Sequence, residues 1–452
     1  MDDNAGGGAK RSPGISYQAL LDTDTHSVPD VLRLQSPQYL GSADVAASRY
    51  TSKEWHDREV EGLWKRVWQF ACREEQLPHV GSHIIYEIAH LSYIVVRADE
   101  HTIKAYPNAC LHRGRQLKDQ GGRCSEFRCP FHGFTWALDG ALASIPSRWD
   151  FDHVDDGDFS LPEIKVGTWA GFVFVNPDVN AGPLEEFLGE LPEQMARWDL
   201  ADRYIQGHVQ KTIRANWKIA QEAFCESYHA PTTHPQTAPY LGDENSQVDI
   251  WPTFARVITA GGTPSPMLVW EPTEEEILRY MLDIRDDEEN YITLAEGKTA
   301  REVSASAARE RWRPVVGDAV DEWCDSEFLD NIDYTLFPNM HPWGAYNRIV
   351  YRFRPNGDNQ RESLMDVYLL APFSGERPPA APTTYLGADE EWLDATELGM
   401  LAKVFSQDSF NMPMVQKGLE TTVKPGVTLA NYQESKVRWL HHVLGQWVER
   451  EG

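Results

Sequence analysis

The sequence predicts an α+β chain in which a small antiparallel β domain is joined to a larger α+β domain with a central antiparallel sheet and surrounding helices. Two observations carry this reading. From Leu77 onward the apolar pattern changes from helical steps to short β-branched and aromatic runs, and a Pro-punctuated linker at 177–183 separates these from about 270 residues that mix both periods. A chain of 452 residues also has room for two or three domains rather than one simple core.

The elements follow in order. Residues 1–54 form an arm, first rich in Gly, Ser, Asp and Pro and then gaining apolar residues at 31–40; it is expected to be extended and to serve packing or assembly. Ser52 is placed to cap a helix, with Glu54 and Asp57 near its positive end and Val60, Leu63, Trp64, Val67 and Trp68 at three- and four-residue steps. Strand-like runs at 84–86, 93–96, 102–106 and 169–175 then complete a small domain over 55–177. The remainder, 178–452, opens with a helix at 184–198. It continues with a strand at 204–215, a helix at 217–228, strands at 348–353 and 364–371 and a final helix at 434–449. The acidic stretch 274–307, with Glu274-Glu275-Glu276 and Asp286-Asp287-Glu288-Glu289, reads as a solvated helical excursion or as a cover over a substrate entrance.

Composition narrows the function. A formal charge of -27 argues against a nucleic-acid backbone or an anionic membrane as partner, because the mean field repels both. No apolar stretch is long enough to span a bilayer and the first residues lack the features of a signal peptide, so a soluble, cytoplasmic protein is expected. Six cysteines are too few for a disulfide scaffold and fit a reducing compartment.

Two of those cysteines belong to a metal-binding pattern. Cys110-Leu-His112 is followed sixteen residues later by Cys129-Pro-Phe-His132, so each half offers one thiolate and one imidazole from a tight loop. Common zinc sites pair cysteine with cysteine and histidine with histidine. The mixed pairing is what a Rieske [2Fe-2S] cluster needs, with both sulfurs on one iron and both nitrogens on the other. Cys110 and Cys129 are expected on the first iron, His112 and His132 on the second. Arg113-Gly114, Gly121-Gly122, Pro130 and Gly133 suit the sharp turns around them. Cys124 fits neither loop and is read as a buried thiol.

A second constellation starts at Asn216-Trp217-Lys218 and reaches His229, Pro231 and His234. On an unbroken helix two histidines five apart would diverge by about 140°, and a break at Pro231 offers a way for the second to swing back. Two imidazoles and one carboxylate make the facial triad of non-haem Fe(II) oxygenases, which leaves one side of the metal open. The carboxylate candidate is Asp408, in Phe405-Ser-Gln-Asp-Ser-Phe-Asn411. Glu226, three residues before His229, is placed on the same helical face and can accept a proton from the imidazole's other nitrogen. Glu222, four residues earlier, crowds a second carboxylate onto that face, which favours a shared proton or pairing with a base. Tyr228 is read as helix packing or a hydrogen-bonding neighbour of the pocket, and Cys225 as a pocket wall or core residue.

With Cys-Leu-His-Arg-Gly, Cys-Pro-Phe-His-Gly, Asn216-Trp217-Lys218, the two histidines, Gln407-Asp408 and Gln416-Lys-Gly-Leu419, nearly the whole chain resembles the catalytic (alpha) subunit of the Rieske non-haem iron ring-hydroxylating oxygenases. The resemblance implies O2-dependent hydroxylation or demethylation of a hydrophobic organic substrate, with electrons from NAD(P)H arriving indirectly through a flavin reductase and/or ferredoxin. It implies a homotrimer or an alpha3beta3 assembly in which Glu226, where the family usually has Asp, bridges His132 of one chain to His229 of the next. Arene cis-dihydroxylation is the first expectation, and monooxygenation or oxidative O- or N-demethylation the alternative. Other functional classes are a Rieske electron carrier without oxygenase activity, which leaves the long second domain unexplained, and a zinc-binding structural protein. Ala223, Phe224, Cys225, Ala230, Thr233, Trp343 and Phe405 are the candidate pocket residues.

Overall fold

The computed structural model describes residue 12 and residues 14–282 and 294–449. The run Asp286-Asp287-Glu288-Glu289 therefore lies outside the described residues. Around it, helices Glu274–Met281 and Ala300–Val316 both begin on a capping box, Thr273 with Glu276 and Thr299 with Glu302.

The first domain begins as expected. The Ser52 hydroxyl accepts the Trp55 N–H and starts the helix Lys53–Glu59, which runs on as a π-helical turn, Val60–Trp64. The helix stops short of Trp68 because the Gln69 side chain donates to the Trp64 carbonyl at 2.6 Å while Gln69–Arg73 turns into a strand. That strand pairs with Phe172–Asn176, which pairs in turn with Lys165–Trp169. The single strand expected at 169–175 is thus a hairpin: Ala170 and Gly171 both take positive φ, the backbone that a two-residue hairpin turn demands. A four-stranded sheet (Ile103–Pro107, Leu91–Arg97, Ser82–Ile88, Gly122–Arg123) and a three-stranded one (Phe127–Arg128, Thr135–Trp136, Leu142–Ser144) complete this part. Their shared core includes Ile94, Val96, Phe127, Phe134 and Trp136, with Cys110 and Cys129 built into it.

The second domain is organised on an eight-stranded sheet in the order Leu241–Ile250, Phe254–Gly261, Asn331–Leu336, Met340–Pro342, Ile349–Asn356, Asn359–Pro372, Arg203–Ile213, Thr383–Leu386. All its pairings are antiparallel except the last. The helix expected at 184–198 is three short pieces, because Gly189 takes positive φ and ends the first at Leu188. Two longer helices, Leu401–Thr421 and Ser435–Val448, flank the sheet.

The arm contains three short helices among the described residues, Tyr17–Leu21, Asp30–Arg33 and Ser48–Thr51, rather than being extended throughout, and it packs on the second domain. Ser36 exchanges backbone and hydroxyl hydrogen bonds with Ile250, and its N–H donates to Asp249 Oδ1 at 2.7 Å. Arg256 donates to the carbonyls of Val31 and Leu34. Further on, Val45–Ala46 pairs with Gly426–Val427.

One buried charge network locks the first helix to the second domain. Glu59 accepts from Trp55 Nε1 (2.7 Å), Trp217 Nε1 (2.9 Å) and Lys218 Nζ (2.5 Å), and both members of the Glu59–Lys218 pair are fully buried. Lys218 balances the Glu59 charge, and the two indole N–H groups satisfy the rest of the carboxylate.

Candidate metal centres

The two cysteine loops have the same backbone design. In each, the glycine four residues after the cysteine donates its N–H to the cysteine carbonyl (Gly114 to Cys110, 2.8 Å; Gly133 to Cys129, 2.9 Å). In each, the cysteine N–H donates to a carbonyl at the loop's far end, that of Arg115 or Phe134. Both glycines sit at positive φ, +74° and +80°, where a Cβ would strain the turn. The loops face one another: the His112 and His132 rings lie 4.7 Å apart, and His112 stacks on Phe134 at 4.6 Å. Burial opposes ionisation of the Cys129 thiol, but the backbone N–H groups of Phe131 and His132 favour the thiolate and bring its pKa below the usual value. Nδ1 of His112 is buried and has no partner among the described residues. Two buried sulfurs beside N–H donors and an orphaned imidazole nitrogen fit an iron-sulfur cluster. His132 is exposed, the geometry for an electron to enter or leave. Cys124 is only partly buried, with Sγ 3.7 Å from His83 Nδ1.

At the second constellation the helix is shorter than expected. It spans Trp217–Glu222, capped by Asn216, and the chain then turns irregularly to His229. Pro231 does not break a helix but lies in the first turn of a short one, Ala230–Thr233, where its missing N–H costs nothing. Glu226 consequently reaches His229 by a turn and not along a helical face: Oε2 accepts the His229 backbone N–H at 3.0 Å, and Oε1 lies 2.8 Å from Nδ1. The helix Leu401–Thr421 delivers Asp408, whose Oδ1 is 2.9 Å from His234 Nε2 and 3.6 Å from His229 Nε2. These three ligand atoms lie within 4.8 Å of one another.

Each imidazole is held from behind. Glu226 faces Nδ1 of His229, and Gln407 Oε1 lies 2.9 Å from Nδ1 of His234, so both Nε2 atoms point to the common centre. Gln407 had no role assigned from sequence; its place next to Asp408 was the available signal. The helix that carries both is fixed by Gln416, whose Oε1 accepts the Asn216 backbone N–H at 2.9 Å. In the metal-free chain burial disfavours the His229 imidazolium, yet hydrogen bonding to Asp408 and Glu226 raises its pKa to about 10. Burial works against the Asp408 carboxylate too, and the two histidines lower its pKa. Carboxylates that hold a proton on a buried imidazole offer the same place to a cation.

The remaining expectations divide. Glu222 shares no helical face with Glu226; it pairs with a base, His441 Nε2 at 2.7 Å, and accepts from the Tyr50 hydroxyl at 3.2 Å. Tyr228 is exposed and does not line the pocket, and Cys225 is core, packed with Leu429 and Val437. A cavity of about 320 Å³ adjoins the triad and is lined by Ala223, Phe224, Ala230, Trp343 and Phe405 among others. Thr233 opens instead onto a second cavity of about 210 Å³, which also borders His229 and Asp408 from another side together with Glu222, Glu226 and Glu434.

Family comparison follows the same division of the chain. The family described as ring hydroxylating alpha subunit (catalytic domain) matches residues 193–450, and the Rieske [2Fe-2S] domain matches residues 67–154. The chain belongs to the ring hydroxylating alpha subunit family. Among curated relatives, the carnitine monooxygenase oxygenase subunit of Acinetobacter pittii is 29% identical over 189 residues, 41% of this chain and 51% of that protein. The anthranilate 1,2-dioxygenase large subunit of Acinetobacter baylyi is 30% identical over 200 residues, 42% of each. The matches thus span about half or less of those relatives. A crystal structure of the quaternary ammonium Rieske monooxygenase CntA with L-carnitine shares the fold, with a TM-score of 0.64 at 17% identity over 90% of this chain and 96% of that one. No helix among the described residues is long and apolar enough to cross a membrane.

Proposed function

We propose that this alpha subunit is an O2-dependent Rieske monooxygenase acting on a largely apolar organic molecule held in the cavity beside His229, His234 and Asp408. The observation that carries the reading is the triad itself: two imidazoles and one carboxylate converging within 4.8 Å, next to a cavity of about 320 Å³. A curated monooxygenase relative supports oxygen insertion over the cis-dihydroxylation expected from the sequence, although a dioxygenase matches at similar identity.

In this reading Cys110, His112, Cys129 and His132 hold the [2Fe-2S] cluster and His229, His234 and Asp408 hold Fe(II). The cluster supplies single electrons and the ferrous site supplies O2 activation. The chain's own groups do the rest. Glu226 and Gln407 fix both rings so that Nε2 faces inward, and Phe224 and Phe405 add apolar wall to the cavity beside them. Glu226 accepts the His229 Nδ1 proton and keeps the ring a ligand. The exposed His132 edge is the docking point for electron delivery, and a trimer in which it meets Glu226 of the next chain shortens the path between the sites. NAD(P)H is the ultimate donor, through a reductase.

The test is a single turnover of chemically reduced, metal-replete protein under 18O2. Product with one labelled oxygen supports monooxygenation, and two labelled hydroxyls in one product return the reading to cis-dihydroxylation. Iron at two atoms per chain after full loading, where three are expected, would reduce the protein to an electron carrier.

A further inference from the structure

The cavity has a polar end. Asp333, in the strand Asn331–Leu336, and Trp343 form an isolated antiparallel bridge, which makes them cross-strand neighbours with side chains on one face, and both line the cavity. Each has a buried polar atom with no hydrogen-bond partner among the described residues: Oδ1 of Asp333, an acceptor, and Nε1 of Trp343, a donor. Asp333 itself is 3% exposed. Polar atoms removed from water in this way are normally matched, so an unmatched donor and an unmatched acceptor on neighbouring residues of the cavity wall point to a ligand group carrying both functions.

Charge at this end is already balanced. Asp333 Oδ2 is bound by the fully buried Lys436 ammonium at 2.6 Å. The other basic neighbour, His341, is 3.6 Å from Oδ1, and its Nδ1 lies 3.1 Å from the Thr335 hydroxyl. Burial lowers the His341 pKa, leaving the ring neutral. The remaining charged groups lining the cavity are Glu226, His229, His234 and Asp408 at the triad. A bare cation at Asp333 would meet a carboxylate whose field Lys436 cancels, and a quaternary ammonium has no N–H to give to Oδ1.

We propose that Asp333 and Trp343 form a specificity anchor for a neutral hydroxyl or amide on the substrate. The group accepts from Trp343 Nε1 and donates to Asp333 Oδ1 while the apolar remainder extends toward the triad. The anchor rests on the oxygenase reading and refines it: the substrate is a hydroxylated or amide-bearing compound rather than a plain hydrocarbon or a quaternary ammonium ion. A site built to pair both functions discriminates strongly against an analogue that lacks them, because the protein groups are then left buried and unmatched.

Toluene, benzyl alcohol and benzyltrimethylammonium form a matched probe set, measured by anaerobic calorimetry on cluster- and iron-loaded protein. Benzyl alcohol is expected to bind at least about tenfold more tightly than the other two. In Trp343→Phe, with cluster absorption and iron content checked as evidence of folding, its affinity is expected to fall at least about threefold toward that of toluene, the hydrogen bond to Asp333 Oδ1 being retained. Toluene binding equal to the alcohol, the ammonium compound binding best, no saturable binding of the alcohol, or an alcohol affinity unchanged in the variant each overturns the anchor. Should the variant fail to fold, the wild-type series alone decides. Preference for the alcohol without its oxidation in reduced, aerated protein supports the anchor while refuting the oxygenase reading; oxidation without preference does the reverse.

Discussion

Gln407 and His234 meet at 2.9 Å, Oε1 against Nδ1, and Gln236 donates to the same oxygen at 2.8 Å. The amide oxygen is therefore held as an acceptor for a proton on Nδ1, which leaves Nε2, now 2.9 Å from Asp408 Oδ1, to give its lone pair to a bound ion. Gln407→Leu is expected to weaken Fe(II) binding by about 10- to 100-fold. Iron content after dialysis against a weak chelator measures this. Retention equal to wild type would show that Asp408 and packing suffice to orient the ring.

Glu226→Gln keeps an oxygen for His229 but loses the charge. Both metals are expected to bind, while product formation falls by about 100-fold or more as the ring is less well oriented and less basic. Coupled turnover near wild type in metal-replete protein would remove Glu226 from the reaction.

Because Asp408 and Glu226 lift His229 to about 10 against the opposing effect of burial, this imidazole carries a proton at neutral pH in the metal-free chain. The stabilisation this gives the metal-free fold is complete below the ordinary value of 6.5 and lost as pH rises through about 10. A metal ion must displace that proton, so its affinity runs the opposite way. Apparent Fe(II) affinity is expected to rise about tenfold per pH unit between neutrality and that pKa, with about one proton released per ion near pH 7. Calorimetry in buffers of different ionisation enthalpy counts the protons, and a pH-independent affinity would contradict the arrangement.

The Glu59–Lys218 pair predicts a stability effect away from the chemistry. Lys218→Met leaves Glu59 charged in a buried site with only two indole donors and is expected to cost about 3–5 kcal/mol. Glu59→Gln combined with Lys218→Met should recover most of it. Denaturant unfolding of the single and double variants decides; an innocuous single variant would mean that water reaches the pair.

Legibility in the sequence followed locality. The cluster loops could be read because Cys110, His112, Cys129 and His132 are ligands of short, self-contained turns whose glycines and proline announce their shape. Ser52 as a cap and the final helix were equally local. The irregular path from Glu222 to His229 is not visible, since the apolar and polar residues between them suit a continuing helix, while distant partners hold the turn: Cys225 packs with Leu429 and Val437, and the Ser227 hydroxyl meets that of Thr259. Gln416 bonding Asn216, and Glu222 meeting His441, join residues 200 and 219 positions apart, and no periodicity encodes such pairs. The hairpin at Ala170-Gly171 was missed because alanine seldom takes positive φ.

The arm bears on edge-to-edge association between molecules. Leu241–Ile250 is an outer strand of the large sheet, and Ser36 and Gln38 occupy the hydrogen-bonding groups of Ile250 at its end. The opposite outer strand, Thr383–Leu386, is only four residues long. One border is tied down at its end and the other is brief, which limits both as templates for strand addition; removing the chain before position 40 would free the Ile250 N–H and carbonyl for pairing with another chain.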